Sequence, residues 1–586
     1  MKHKPLLSLT TLLLLAVLIS PLGAQSVAYP SASALARAPG ANPGAQLGSN
    51  GTNLTVALDV GLGWKEFANP TSKVAAGFSG TSGKWTFLDL TIPDVLDYGI
   101  NGGNIGLVGN DKQVWAFYPT VDNWVVRSLL EVDGYDAAGF TAVAWGDSDA
   151  AVGFSSYLNQ AGTQPLTGTG YQASMEDSGL CTTALLFNSD DAYAYSALTN
   201  SWSNQALADP PEGQTAGRNV ALIWDKGTQY GYSALFSNWY PHPKGTAPMS
   251  GAAGAWVALS YNPLECTIFD GQDGTWYPGP TFSQLFSPIV RMGKEVALVW
   301  SNDGAWAFDI RHDRWLDIGI VPGTQLAYQG KVFNNTMLLW NNNEAWGYVR
   351  NFFMPGHKIA LDGSPVMTRV SDKGAVIVGR RAAYGMGTLC SWAPLALDPH
   401  KSYSVEMRYK TAVVWTDDEA YVFNCVTNAW EQINVANPVN IHATASNRHA
   451  TIWNDTKAYA YVAESGQIYE YDLASPPLQG YGAGWVSSIL DQNNKLYAFS
   501  EETLTWSEQQ LSASPRFFNS QGYQVVVVTK DDMAYGFSAY LGAFTPQALD
   551  ATANIMKIGW TAGVIVTGPS IYGYSAYTGT WDQRSK

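Results

Sequence analysis

The chain has 586 residues, a formal net charge of −15 and only 14% charged residues, against roughly 25% in a typical soluble protein. This acidity argues against a nucleic-acid-binding surface, which needs concentrated Lys and Arg. The 13% aromatic content excludes a disordered chain, and four Cys in this length exclude a disulfide scaffold.

The first element is a targeting signal. Lys2, His3 and Lys4 precede an apolar run from Leu6 to Ile19, Pro21 breaks it, and Leu22-Gly23-Ala24 suits cleavage. Residues 1–24 therefore read as a signal peptide and 25–42, rich in Ala, Gly, Ser and Pro, as a flexible leader. No Cys follows the cleavage region to carry a lipid, and no later segment is apolar enough to span a bilayer. The expected location is secreted, periplasmic or extracellular.

From about residue 43 onward the chain repeats one unit. The segments AYAYSALTNSW (192–202), AWAFDIRHDRW (305–315), AYVFNCVTNAW (420–430) and IYGYSAYTGTW (571–581) show it. The final Trp anchors ten units, at Trp85, Trp124, Trp202, Trp239, Trp276, Trp315, Trp392, Trp430, Trp506 and Trp581. Ala161, Pro355, Ile468 and Phe544 hold the anchor place in four more, making fourteen units with a period of about 38 residues. A Leu stands five residues past the anchor in eight of them, as at Leu129 and Leu511.

Each unit carries four short strand signals, a to d. Around Trp340 these are Thr324–Gln329, a turn at Gly330-Lys331, then Thr336–Trp340, Ala345–Val349 and His357–Leu361. In the first unit strand b is expected over Leu54–Val60, with an extra stretch at 61–72. Strand c alternates small and aromatic residues, as in Ala192-Tyr193-Ala194-Tyr195, which sets aromatics on one face and small residues on the other. A bulky face against a small face lets neighbouring sheets interdigitate. Sixteen Trp, the ten anchors and the strand-b ends Trp145, Trp224, Trp300, Trp340, Trp415 and Trp453, are assigned to this packing. Four strands in each unit of about 40 residues make a propeller blade. Because rings usually hold four to eight blades, the expectation is an all-β fold of two tandem seven-bladed β-propellers, 43–321 and 322–586.

The c–d hairpin resembles that of kelch repeats, which place an Asp six residues before a Trp with a Thr/Asn-Gly turn between. Asp270 to Trp276 fits, as do Asp309 and Trp315; Ser replaces the Asp in many units, and the kelch Gly-Gly doublet is absent. The resemblance implies a kelch-like propeller and no particular activity.

The b–c turns are acidic: Asp147, Asp149, Asp190, Asp191, Asp303, Asp417, Asp418, Asp455, Asp531 and Asp532. A circle of carboxylates there is a candidate Ca²⁺ or cationic-partner site. The favoured reading is turn chemistry, since Asp and Asn stabilise tight turns through their own side chains. The a–b turns are expected to carry Arg291, Lys294, Lys331, Arg369, Lys373, Arg408, Lys410, Arg448 and His449 on the opposite rim. Cys390 and Cys425 fall in adjacent units, leaving a disulfide or two buried thiols open, whereas Cys181 and Cys266 are too far apart in the frame to pair. No zinc pattern, nucleophile elbow or cofactor loop stands out, so no catalytic or cofactor residue is assigned. The leading function is a secreted non-catalytic scaffold for a protein or glycan partner, with no nucleic acid. The alternatives are a polysaccharide-active enzyme working in a cleft between two rings and a structural cell-surface or matrix component.

Overall fold

The computed structural model describes residues 53–64, 74–89, 96, 98–176, 179–245, 247, 249–283, 287–320, 327–350 and 356–585. The signal peptide and leader lie outside them, as do Pro355 and the expected junction at 321–322. The described chain is all-β: fourteen four-stranded antiparallel sheets, each built from consecutive strands in the order a-b-c-d. Blade 1 comprises Asn53–Ala57, Val60–Trp64, Val74–Ser79 and Lys84–Asp89. Blades 2 to 7 span 98–128, 134–165, 172–206, 213–243, 250–281 and 289–317. Blades 8 to 13 span 329–360, 367–396, 404–433, 442–472, 477–510 and 515–548, and blade 14 spans 555–585.

Two features of strand c lock each blade to the next. In all but one blade an aromatic stands one residue before the end of strand c, and it meets a residue, Gly or Ala in most, of strand c in the blade before. A Cβ added to Gly77, Gly153, Gly231 or Gly385 would come 2.5 Å from the ring of Phe117, Tyr195, Phe269 or Phe423. The anchor Trp on strand d pairs across the sheet with that same aromatic, as Phe117 with Trp124 at 5.2 Å and Tyr195 with Trp202 at 5.1 Å between ring centroids. In most anchors the indole N–H donates to a strand-d carbonyl of the preceding blade, Trp124 to Thr86 at 3.2 Å and Trp430 to Ala393 at 2.9 Å, Trp85 and Trp315 being exceptions. The anchors' assignment to inter-blade packing therefore has an atomic basis. Ala161, Ile468 and Phe544 occupy the same register place. The Leu five residues on is buried in several blades, and its N–H bonds a carbonyl of the b–c turn, Leu129 to Lys112 and Leu511 to Asn494.

The residue two before the anchor has a positive φ, for example 72° at Gly83, 51° at Asp122, 53° at Asn200 and 64° at Gly579. A left-handed residue closes a short hairpin loop into the twist of its strands. Gly, Asn and Asp accept that conformation most readily, hence the Asn/Gly signature of these turns.

Strand a is the innermost. The first strands of successive blades lie closer together than the fourth strands, which are solvent-exposed on alternate residues. Inter-blade contacts run in sequence order, with blade 7 on blade 8 and blade 14 on blade 1. Ala307 and Tyr348 share one apolar cluster across the 7–8 boundary. At the seam Gly573 faces the Phe78 ring, Ser575 donates to the Gly80 carbonyl, and the Trp85 backbone N–H donates to the Asp582 carboxylate at 3.0 Å. Two separately closed rings would set blade 7 on blade 1 and blade 8 on blade 14. The fourteen blades instead follow one another round a ring, and the grouping into sevens is a grouping of sequence rather than a break in packing. With sheets about 10 Å apart and strands about 4.8 Å apart, the innermost strands stand on a circle roughly 15 Å in radius.

Two expected strands shift. Leu54–Val60 is not strand b: strand a ends at Ala57 and strand b starts at Val60, after a two-residue turn. In blade 8 strand a is Gln329–Phe333, and Asn334-Asn335 make the turn. Gly330 is no turn residue. It lies within strand a because the Trp300 ring of blade 7 sits against it, 2.6 Å from where a Cβ would be.

Two outcomes test this closure. Gly573→Val at the seam and Gly231→Val inside the ring should each lower stability by about 1–3 kcal/mol through overpacking, read as similar drops in apparent Tm; an unchanged Tm for Gly573→Val alone would show that blade 14 does not pack on blade 1. Proteolytic nicking within 321–326 should leave the two halves co-eluting, whereas their separation as two folded pieces would restore two independent rings.

Candidate binding surfaces

The corrected strand a relocates the cations. Arg291, Lys331 and Arg369 belong to strands a of blades 7, 8 and 9, paired with Leu298, Leu338 and Val376 at the central residue of strand b. They share one register on three successive innermost strands, and all are exposed. Arg408 also lies in strand a, and His449 opens strand b of blade 11. Lys294, Lys373, Lys410 and Arg448 do lie in a–b turns. The Arg291 guanidinium lies 5.9 Å from the Trp300 ring centroid and the Lys331 amine 5.8 Å from that of Trp340. Lys331 reaches the next blade, donating to Thr368 O at 3.1 Å and Oγ1 at 3.0 Å. Arg291 and Arg369 donate to the neighbouring carbonyls of their own strands, Val290 and Thr368. Although the Lys331 side chain as a whole is exposed, its amine is half-buried against Thr368, and this pushes it below its ordinary pKa, the positive charge of Arg369 adding to the effect. The same register holds Ala252 in blade 6 and Glu406 in blade 10. Glu406 turns toward blade 11, accepting from Thr444 Oγ1 and the Ala445 N–H, each at 2.7 Å. Sequence reasoning missed this arc because Gly330-Lys331 looked like a turn.

The b–c acids are spread among several blades. Asp149 accepts the Leu130 N–H at 2.7 Å, Asp147 the Gly170 N–H at 2.6 Å and Asp303 the Ser283 N–H at 2.7 Å, each staple tying a b–c turn to a d–a connection. Asp531 and Asp532 accept from Ser512 and Thr552, Asp455 from Asn440, and Asp418 pairs with Lys401 at 2.8 Å. Asp190 and Asp417 contribute backbone carbonyls that hold Leu207 and Ile441, and Asp191 opens a strand c. The side-chain bonds among these run from the b–c turns to the d–a connections.

Among the described residues the three carboxylates within 4.8 Å of one another are Asp270, Asp273 and Asp313, on the opposite, c–d rim. Asp270 takes the place where Ser196 and Ser233 donate to the next blade, at 2.7 and 2.6 Å. Burial pushes its pKa up to about 7, opposed by the Gln272 N–H and reinforced by Asp273 and Asp313. In blade 7 the same place holds Asp309, which accepts from His312 at 2.9 Å and from Tyr348, and lies 3.4 Å from Arg350 Nε. Arg350 also pairs with Glu295.

Blades 11 and 12 hold a second polar group. His449 Nε2 lies 2.7 Å from Ser487 Oγ, and its Nδ1 lies 3.2 Å from Glu501. Ser, His and Glu in this order can relay a proton during acyl transfer. Here both Ser487 and His449 are wholly buried, so the trio fastens two blades. Its sequence signal is three departures from the frame in neighbouring blades, where Val220, Ala221 and Ala234 stand in blade 5. All four Cys are free and buried, Cys390 and Cys425 included; the Cys390 thiol donates to Val349 O at 2.8 Å.

No family model and no curated protein matches the chain. Among solved structures, it is similar to the tricorn protease at 9% identity and a TM-score of 0.22, over 84% of this chain and 62% of that one. It therefore spans less than two thirds of that protein. The computationally designed Ika8 protein matches at 10% identity and a TM-score of 0.20, over 58% of this chain and 96% of that one. Likenesses this low carry no functional argument.

The seam supplies a pH test. Thr561 donates to Asp59 as Thr182 does to Asn219 at 2.6 Å between blades 4 and 5. Burial pushes Asp59 up to about 6, with the Thr561 bond opposing. A raised carboxyl pKa means the folded state holds the proton more tightly, so stability is gained as pH falls from about 6 toward 4 and lost as it rises through 6. Asp59→Asn should therefore raise apparent Tm at pH 7.5, by the equivalent of roughly 3 kcal/mol at most, and change it little at pH 4. An equal effect at both pH values would refute this account.

Proposed function

We propose that the chain is an exported, non-catalytic propeller that serves as a binding scaffold for a macromolecular partner or a surface glycan. The observation that carries this reading is the arc of exposed cations on the innermost strands of blades 7, 8 and 9, where the other departures from the repeat frame described above, His449 with Ser487 and Asp309, are buried between blades. A wide ring presents such a wall to a partner without moving parts. Export rests on the Lys2–Ala24 pattern, and kinship with kelch propellers rests on the c–d hairpin around Asp270 and Asp309. The alternative of a polysaccharide-active enzyme requires acids facing each other across a cleft between two rings. The packing of blade 7 on blade 8 lends that no support.

The test pairs a glycan array and protein pull-downs with hydrolysis assays on plant and microbial polysaccharides, in Ca²⁺ and in chelator. Binding without reducing-sugar release is expected, and release of reducing sugar would overturn the reading.

A further inference from the structure

We propose that Arg291, Lys331 and Arg369 form a binding site in the central channel for a linear polysaccharide carrying carboxylate groups at regular intervals. This rests on the scaffold reading above and names its ligand class.

Three arguments lead there. Like charges at one register on the facing strands of successive sheets repel one another unless something offsets them. Among the described residues none of the three forms an ion pair, and their hydrogen bonds go to carbonyls and one hydroxyl. The nearest carboxylate at this register, Glu406, is engaged with blade 11. The cations are also regularly placed, one per blade at one register, over the Trp300 and Trp340 rings in two of the three. A polymer with one anion per repeating unit presents its charges in a row as the arc does and, if stiff, loses little freedom on binding, whereas a flexible acidic peptide must be ordered on binding.

Finally, the inner wall exposes aromatic faces as well as charge. Tyr481 in strand a of blade 12 is 42% exposed, and Tyr135 in blade 3 is 37% exposed and stacked on Tyr98 at 3.7 Å. A flat ring with a polar tip suits the mixed surface of a sugar. Nucleic acid is disfavoured by the net charge of −15.

Affinity electrophoresis through polygalacturonate, neutral dextran, polyglutamate and duplex DNA tests this. The protein should be retarded by polygalacturonate above the other three. The triple variant Arg291→Gln, Lys331→Gln, Arg369→Gln should lose about tenfold or more in affinity, as three exposed charge contacts imply. Lys112→Gln, Lys226→Gln, Lys530→Gln, an equal charge change at exposed b–c turn sites, should retain it. If the triple variant does not fold, Arg291→Gln and Arg369→Gln singly serve, since both side chains bond only their own strands. Equal loss in the control, equal retardation by dextran, or preference for polyglutamate or DNA would each overturn the proposal. Neutral glycans or a protein captured in the earlier screen, with no polygalacturonate binding, would sink this inference and leave the scaffold reading standing.

Discussion

An aromatic ring on strand c of one blade lies against a glycine or alanine on strand c of the blade before it, and the ring depends on that contact. Each sheet is covered on both faces, so each must offer one bulky and one bare side. At Gly231 there is no room for a methyl group beside Phe269. The same aromatic supports the anchor Trp, whose indole N–H then reaches into the preceding blade. One pair of residues thus sets the distance, the direction and the hydrogen bonding of a blade junction.

Repeating that junction makes closure a question of angle. Nothing in a single blade counts to seven or fourteen. The count follows from the small rotation that each junction imposes. The seam between blades 14 and 1 uses the same parts as its neighbours: Gly573 against Phe78, a strand-end Ser to a backbone carbonyl, and a Thr to an Asx side chain. The last pairing holds Asp59 where blade 5 holds Asn219, so the seam carries a buried carboxyl where the junction of blades 4 and 5 carries an amide.

The legibility of the sequence follows the same physics. Strands b, c and d were readable because both faces of b and c are packed and d alternates against solvent. Strand a was not. It borders the channel on one side, alternates poorly, and its glycines answer to rings from neighbouring blades, as Gly330 does to Trp300. Placing Gly330 in a turn moved Lys331 from the inner wall to a rim and hid its register with Arg291 and Arg369. In blade 1 the glycines of strand b, Gly61 and Gly63, disguised it in the same way. The placing of the acids in b–c turns was legible, but their bonding to d–a connections about 20 residues away needed coordinates.

Departures from the frame come in neighbouring blades, which is informative about how such a molecule acquires function. A polar residue placed in a junction leaves an unsatisfied group unless the facing blade changes too. His449 is answered by Ser487 and Glu501 one blade on, and Asp309 by Tyr348 and Arg350 one blade on. Such pairs spend their polarity on each other and stay buried. The inner-wall register differs, because a side chain there borders the channel and can stay exposed even where it also bonds the next blade, as Lys331 does to Thr368. Arg291, Lys331 and Arg369 bond carbonyls and one hydroxyl and form no ion pair among the described residues, so their charge is left for whatever enters the ring to offset.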